Sequence, residues 1–229
     1  IANVAAEFQD SGFNLKTVFK QLVGSEFYRA DGLATLVANP QRHAELDDVG
    51  IVRLLAPEQL ERKVNAIFGK PWGRLNGELK ILYGGIDSIT VTERNADPSG
   101  AMGAIQRIMA NDVACQHVAR DFVRDPSERV LFPDIEPNVV PGDDASNARI
   151  RQAIVFLHRR LLGQEHSADH PEVERTFKLF AGIIADAEAQ ESYEPRESYF
   201  CGRPEGARVD DPHYTIRAWR GVVTYLLRQ

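Results

Sequence analysis

Between Leu82 and Arg94 the chain gathers groups that could hold a ligand: Tyr83, the adjacent Gly84 and Gly85, then Asp87, Thr90, Thr92, Glu93 and Arg94. Two glycines in a row permit positive φ and the close approach of a ligand or another chain, and the polar residues beyond them supply donors, acceptors and charge. The same residues fit a second reading, in which the glycines end a helix and Asp87 ties down the next turn through its own backbone. His166, Asp169 and His170 offer three metal-ligating side chains close together, but a fourth ligand and an HExxH pattern are missing. His170, just before Pro171, is instead expected to cap a helix or to sit in a solvated loop. Asp134, Glu136, Asp143 and Asp144 flank a proline-rich loop without the alternation of an EF-hand, and Asp144 is expected to cap the helix that follows. Asp47 and Asp48 are paired acids that nothing places in a cleft. No Gly-x-Ser-x-Gly elbow, P-loop or dinucleotide fingerprint occurs.

The elements that must position these residues are helices. Leu15, Val18, Phe19 and Leu22 form one apolar stripe, Leu60, Val64 and Ile67 another, and Leu75, Leu79 and Leu82 a third. Pro57 in a first turn followed by carboxylates, with Gly69 and Pro71 behind, brackets a helix. A long helix is expected over 99–124, with Ile105, Ile108, Cys115, Ala119 and Phe122 on its buried face. An antiparallel helical hairpin is expected from 146–162 and 171–190, joined by the short loop 163–170. Ile216, Trp219, Val223 and Leu226 mark the last helix. Only 88–92 alternates like a strand. The expected fold is mainly α, a multi-helix orthogonal or bundle-like domain with long irregular loops over 125–144 and 192–212.

The spacing of Ile1, Val4, Ala5 and Phe8 starts inside a helix, and the chain stops at Leu226–Gln229 without a capping signal. It is therefore expected to be a piece of a longer protein: residues 1–38 a helical pair ending a preceding domain, 39–53 a linker, and 54–229 the main domain, truncated at its C-terminus. The 229 residues are 43% apolar, enough for a packed core, and hold no apolar run of membrane-spanning length. A net charge of −6 argues against a nucleic-acid partner. Arg149, Arg151, Arg159 and Arg160 cluster locally, which is read as a solvated helix face. Two distant cysteines, Cys115 and Cys201, exclude a self-contained thiolate zinc site, a CxxC redox pair and the CxxCH of c-type haem attachment.

Several stretches resemble segments of planctomycete-type cytochrome c associated proteins, in regions that are domains of unknown function. They are Ser11–Arg29, Leu54–Gly69 with Ala56 where the family carries threonine, Leu82–Arg94, Met109–Cys115, Leu131–Pro133 and His213–Leu227. Each is a packing or turn motif. The resemblance implies an extracytoplasmic protein, periplasmic or at the cell surface, with a cytochrome c domain in the same or a neighbouring chain as partner. Haem c would lie elsewhere in the full-length chain, and no cofactor or metal is expected within these residues. In an oxidising compartment Cys115 and Cys201 could be joined, closing a long loop; otherwise Cys115 is a small buried residue on its stripe and Cys201 a free thiol.

Two functions follow as expectations. The first is a structural or interaction module of a larger cytochrome-associated protein. The alternative is a periplasmic redox or hydrolytic enzyme with its site around Tyr83 to Arg94. Convergence of Asp87, Glu93, Arg94 and a histidine on one concave site would favour the enzyme.

Overall fold

The computed structural model describes residues 2–25, 55–95, 98–189, 198–199, 201 and 209–229. The chain divides into two compact units, Ile1–Leu54 and Leu55–Gln229. The expected linker over 39–53 lies outside the described residues, as do Asp47, Asp48 and most of 190–208.

In the first unit, α1 (Ala2–Asp10) and α2 (Leu15–Gly24) form a helical pair. Gly12 and Phe13 turn the chain with positive φ, and Asn14 caps α2 by accepting from the Lys16 N–H. Val4, Phe8, Thr17 and Val18 are half-buried, with the Phe8 and Phe13 rings edge to face at 5.4 Å.

The second unit is mainly helical: α3 (Pro57–Phe68), α4 (Gly100–Val123), α5 (Asp144–Leu157), α6 (Pro171–Glu188) and α7 (Thr215–Leu226). A π-helical turn, His158–Leu162, extends α5 and ends at Gly163 with φ +71°. Two-residue strands β1 (Ser198–Tyr199) and β2 (Val209–Asp210) pair antiparallel, with Tyr199 opposite Val209. α7 packs on both α4 and α6, and α5 packs on α6. The α6–α7 crossing is close because position 221 is glycine: a Cβ there would run into Ile183 Cδ1. The core centres on Trp219, against Phe132 and Phe180, with Phe122 stacked on Phe132 at 4.4 Å.

The helical stripes of α5 and α7 are buried as their spacing predicts; those of α3 and α6 are buried except for Leu60 and Phe177, which are half-buried, and Gly69 ends α3 with φ +75°. Three local expectations are corrected. Ile108 is 42% exposed, because Met102, Ile105, Met109 and Val113 carry the buried face of α4. The cap of α5 is Asp143, one residue earlier than expected, and its carboxylate accepts from the Ala145 and Ser146 N–H groups. Residues 74–84 form irregular turns rather than a helix: Leu75 is buried, but Leu82 faces water, and Gly73 and Gly77 break the repeat.

The loop over 125–144 is irregular but anchored. Asp121, 2% exposed, accepts from the N–H groups of Val130, Leu131 and Phe132, each at 2.9 Å. Arg129 makes a bidentate pair with Glu136 at 2.9 and 3.0 Å and also donates to the Arg124 and Ile135 carbonyls. Leu131, Phe132 and Ile135 are thereby held in the core.

Candidate functional site

The loop over 83–94 begins where the chain must pass close to itself. Gly84 has φ +82°, and a Cβ on it would lie 2.5 Å from the Asn95 carbonyl oxygen; one on Gly85 would lie 2.8 Å from the Lys80 carbonyl oxygen. The Gly84 and Gly85 N–H groups donate back to the carbonyls of Ile81 and Lys80, a helix-end pattern made without a regular helix. Beyond it, Asp87 Oδ1 accepts from the N–H groups of Ile89, Thr90 and Val91, and Oδ2 accepts from the Thr90 hydroxyl at 2.6 Å. The Thr90 hydroxyl and these N–H groups hold its carboxyl well below the usual carboxylate range. This capture folds 88–92 into a turn instead of the strand its alternation suggests, and leaves Ile89 85% exposed.

Two cations near the loop converge on Glu58 of α3, away from Asp87. Arg94 donates to Glu58 Oε2 at 2.9 Å, and Lys80 lies 3.4 Å from Oε1. Burial works to raise the Glu58 carboxyl, but the two cations outweigh it and hold it below its ordinary range. Tyr83 is buried and accepts from Gln106 at 2.9 Å, and burial pushes its hydroxyl up. Thr92 and Glu93 face water. Asp87 is thus engaged with its own turn and Arg94 with α3, and among the described residues these groups and a histidine do not meet.

Cys115 and Cys201 form a disulfide with Cα atoms 5.5 Å apart. It ties α4 to the chain just beyond β1, where the buried Tyr199 hydroxyl lies 3.2 Å from Cys115 Sγ. Burial raises the Tyr199 hydroxyl pKa. After β2, Asp211 is buried and organises the start of α7: it accepts from the Ile216 N–H at 2.9 Å and pairs with Arg217. Burial pushes its carboxyl up, against the pull of these partners.

The histidines meet as a stack. His166 and His170 lie ring on ring at 3.9 Å, and His158 meets His166 edge to face at 5.1 Å. His170 caps α6, its Nδ1 accepting from the Glu172 N–H, as its place before Pro171 predicts. His158 is buried, which lowers its pKa. The Thr176 hydroxyl donates to the Glu172 carbonyl, so its lone pair is left for the Nε2–H of His158 at 3.2 Å. Gln164 Oε1 lies 3.3 Å from His158 Nδ1 and 3.3 Å from His166 Nε2, so this amide bridges the two rings. Among the described residues no three His, Cys, Asp or Glu side chains are arranged to hold a metal.

The arginine cluster separates into two classes. Arg151 pairs with Glu174 at 2.6 Å and covers the Phe177 ring, and Arg160 donates to the Ile67 carbonyl at 3.0 Å, closing the end of α3. Arg149 and Arg159 are exposed and have no carboxylate within 4 Å among the described residues. Sequence reasoning missed four buried polar groups: Asp121, His117 and His158 on helices and Asp211 in the connection before α7. For the first three the available signal was a position inside an apolar stripe.

No helix among the described residues is long and apolar enough to cross a membrane. Comparison with known proteins finds no matching family model, no similar curated protein and no similar solved structure.

Proposed function

We propose that the protein is an extracytoplasmic interaction module of a larger cytochrome c associated protein, holding a partner rather than carrying out a reaction. The observation that supports this reading is the outer face of α2. Leu15, Phe19, Leu22 and Val23 recur at helical spacing and all are exposed, Phe19 by 66%. Covering such a side chain is worth about 1.5–3 kcal/mol, so four on one stripe favour a docked partner. The disulfide agrees with an oxidising compartment, periplasmic or cell-surface. The resemblance of the sequence supplies the partner class, a cytochrome c domain in the same or a neighbouring chain. The enzyme alternative gains no support from the loop over 83–94, whose Asp87 and Arg94 are occupied in shaping the fold.

The test is to express and export the whole reading frame that contains these residues. The chain is expected to co-elute with c-type haem absorbance, and Phe19→Asp with Leu22→Asp to separate the two. A whole protein without haem, eluting as a monomer whether or not α2 carries these substitutions, would overturn the reading.

A further inference from the structure

A cleft opens between α5 and the anchored turn at Leu131–Ile135, with a volume of about 440 Å³. One wall is the turn over 131–135, where Pro133 and Asp134 reach the surface and the buried Leu131, Phe132 and Ile135 back them; the other is the α5 face carrying Ala148, Gln152, Ala153 and Phe156. The first wall is rigid before any ligand arrives, because Asp121 holds the backbone of Leu131 and Phe132 and the Arg129–Glu136 pair holds the chain on either side. Ala148 and Ala153 opposite this turn leave the space open.

Charge on the rim is uneven. Arg149 and Arg159 both line the cleft, ten residues apart on the extended helix, and Asp134 is the single acidic residue lining it. Phe156 and Arg159 also border a second opening of about 480 Å³, lined by Arg129, Val130 and Arg160 as well. The Arg159 end therefore carries the greater positive charge, in a protein whose net charge is −6. Arg129 and Arg160 are engaged with Glu136 and the Ile67 carbonyl, whereas the Arg159 guanidinium, 5.7 Å from the Phe156 ring centre, has no carboxylate partner among the described residues.

Cavities of roughly 300–1,000 Å³ with mostly apolar walls and a few polar groups suit small ligands, and a guanidinium suits a carboxylate through two parallel N–H bonds. We propose that this cleft binds a small amphiphilic carboxylate, its apolar body between the Leu131–Ile135 turn and α5 and its carboxylate on Arg159. This goes beyond the interaction reading and rests on none of the α2 residues, so either can fail alone.

The test is calorimetric titration of the full chain with dodecanoate, with dodecyltrimethylammonium as the control of equal chain and opposite charge. Dodecanoate is expected to bind saturably at one site and the cation not to bind. Arg159→Glu should weaken dodecanoate roughly tenfold or more, the loss of a charge-assisted pair. Ala153→Phe, which fills the cleft and leaves both arginines in place, should abolish binding, with circular dichroism confirming that each variant is folded. Equal binding of anion and cation, binding unchanged in folded Arg159→Glu or Ala153→Phe, or no binding of dodecanoate would each overturn the proposal. An acidic apolar peptide that binds this cleft where dodecanoate does not would also overturn it in favour of a protein ligand.

Discussion

Asp121 Oδ2 lies 2.9 Å from the backbone nitrogen of Phe132, eleven residues along the chain, and both residues are buried. The same carboxylate also serves Val130 and Leu131, so one side chain substitutes for the pairing that a strand would give this segment. Asp121→Ala leaves buried N–H donors unpaired at about 1–3 kcal/mol each, and a loss of about 3 kcal/mol or more is expected in urea unfolding. Asp121→Asn, which keeps one acceptor oxygen, should fall between Ala and the parent.

Reduction should expose the contribution of the disulfide. Its two cysteines are 86 residues apart, and opening a loop of that size costs about 4.6 kcal/mol in the chain-entropy model. The denaturation midpoint is expected to drop by the corresponding amount in dithiothreitol, and to drop equally in Cys115→Ser with Cys201→Ser. Coincident midpoints with and without reductant would contradict this.

His117 should make stability depend on pH. It is buried against Phe68, and burial first, then Arg120, Arg124 and Lys70, lower its pKa from 6.5 to about 4. Above 6.5 the ring is neutral in both folded and unfolded chains. Between 6.5 and about 4 only the unfolded chain takes the proton, so stability falls with falling pH by about 1.4 kcal/mol per pH unit, roughly 3 kcal/mol in all. His117→Phe should flatten that part of the profile measured by unfolding at successive pH values.

Two glycines with similar backbone should respond differently to alanine. Gly69 and Gly84 have φ +75° and +82°, but a Cβ on Gly69 meets nothing within 4 Å, whereas one on Gly84 meets the Asn95 carbonyl and Met102 Cε. Gly69→Ala is expected to cost about 1–2 kcal/mol, the left-handed penalty alone. Gly84→Ala should cost clearly more, and thermal unfolding of the two variants side by side tests the difference.

Ala56 begins α3 with half a cap. Gln59 Oε1 reaches back to the Ala56 N–H at 3.1 Å, but alanine has no side-chain oxygen to return the bond. Ala56→Thr should gain about 1 kcal/mol, read as a raised unfolding midpoint.

The sequence by itself determined the helices of the second unit, because helical spacing records which face turns inward: Ile150, Ile154, Leu157 and Leu161 are all buried, as are Ile216, Trp219, Val223 and Leu226. Local stop and start signals were legible too, since Gly69 ends α3 and His170 caps the start of α6 within a few residues of themselves. The tertiary structure decided how the polar residues are used. Asp87 could have faced a ligand, but nearby N–H groups captured it; Asp121 became buried serving backbone nine to eleven residues on, and Asp211 serving the start of α7. The same holds for the arginines: four look alike in sequence, and only packing against Glu174 and the end of α3 separates Arg151 and Arg160 from Arg149 and Arg159. Periodicity is a local property of the chain, whereas the partner of a buried charge is set by which segments meet in space.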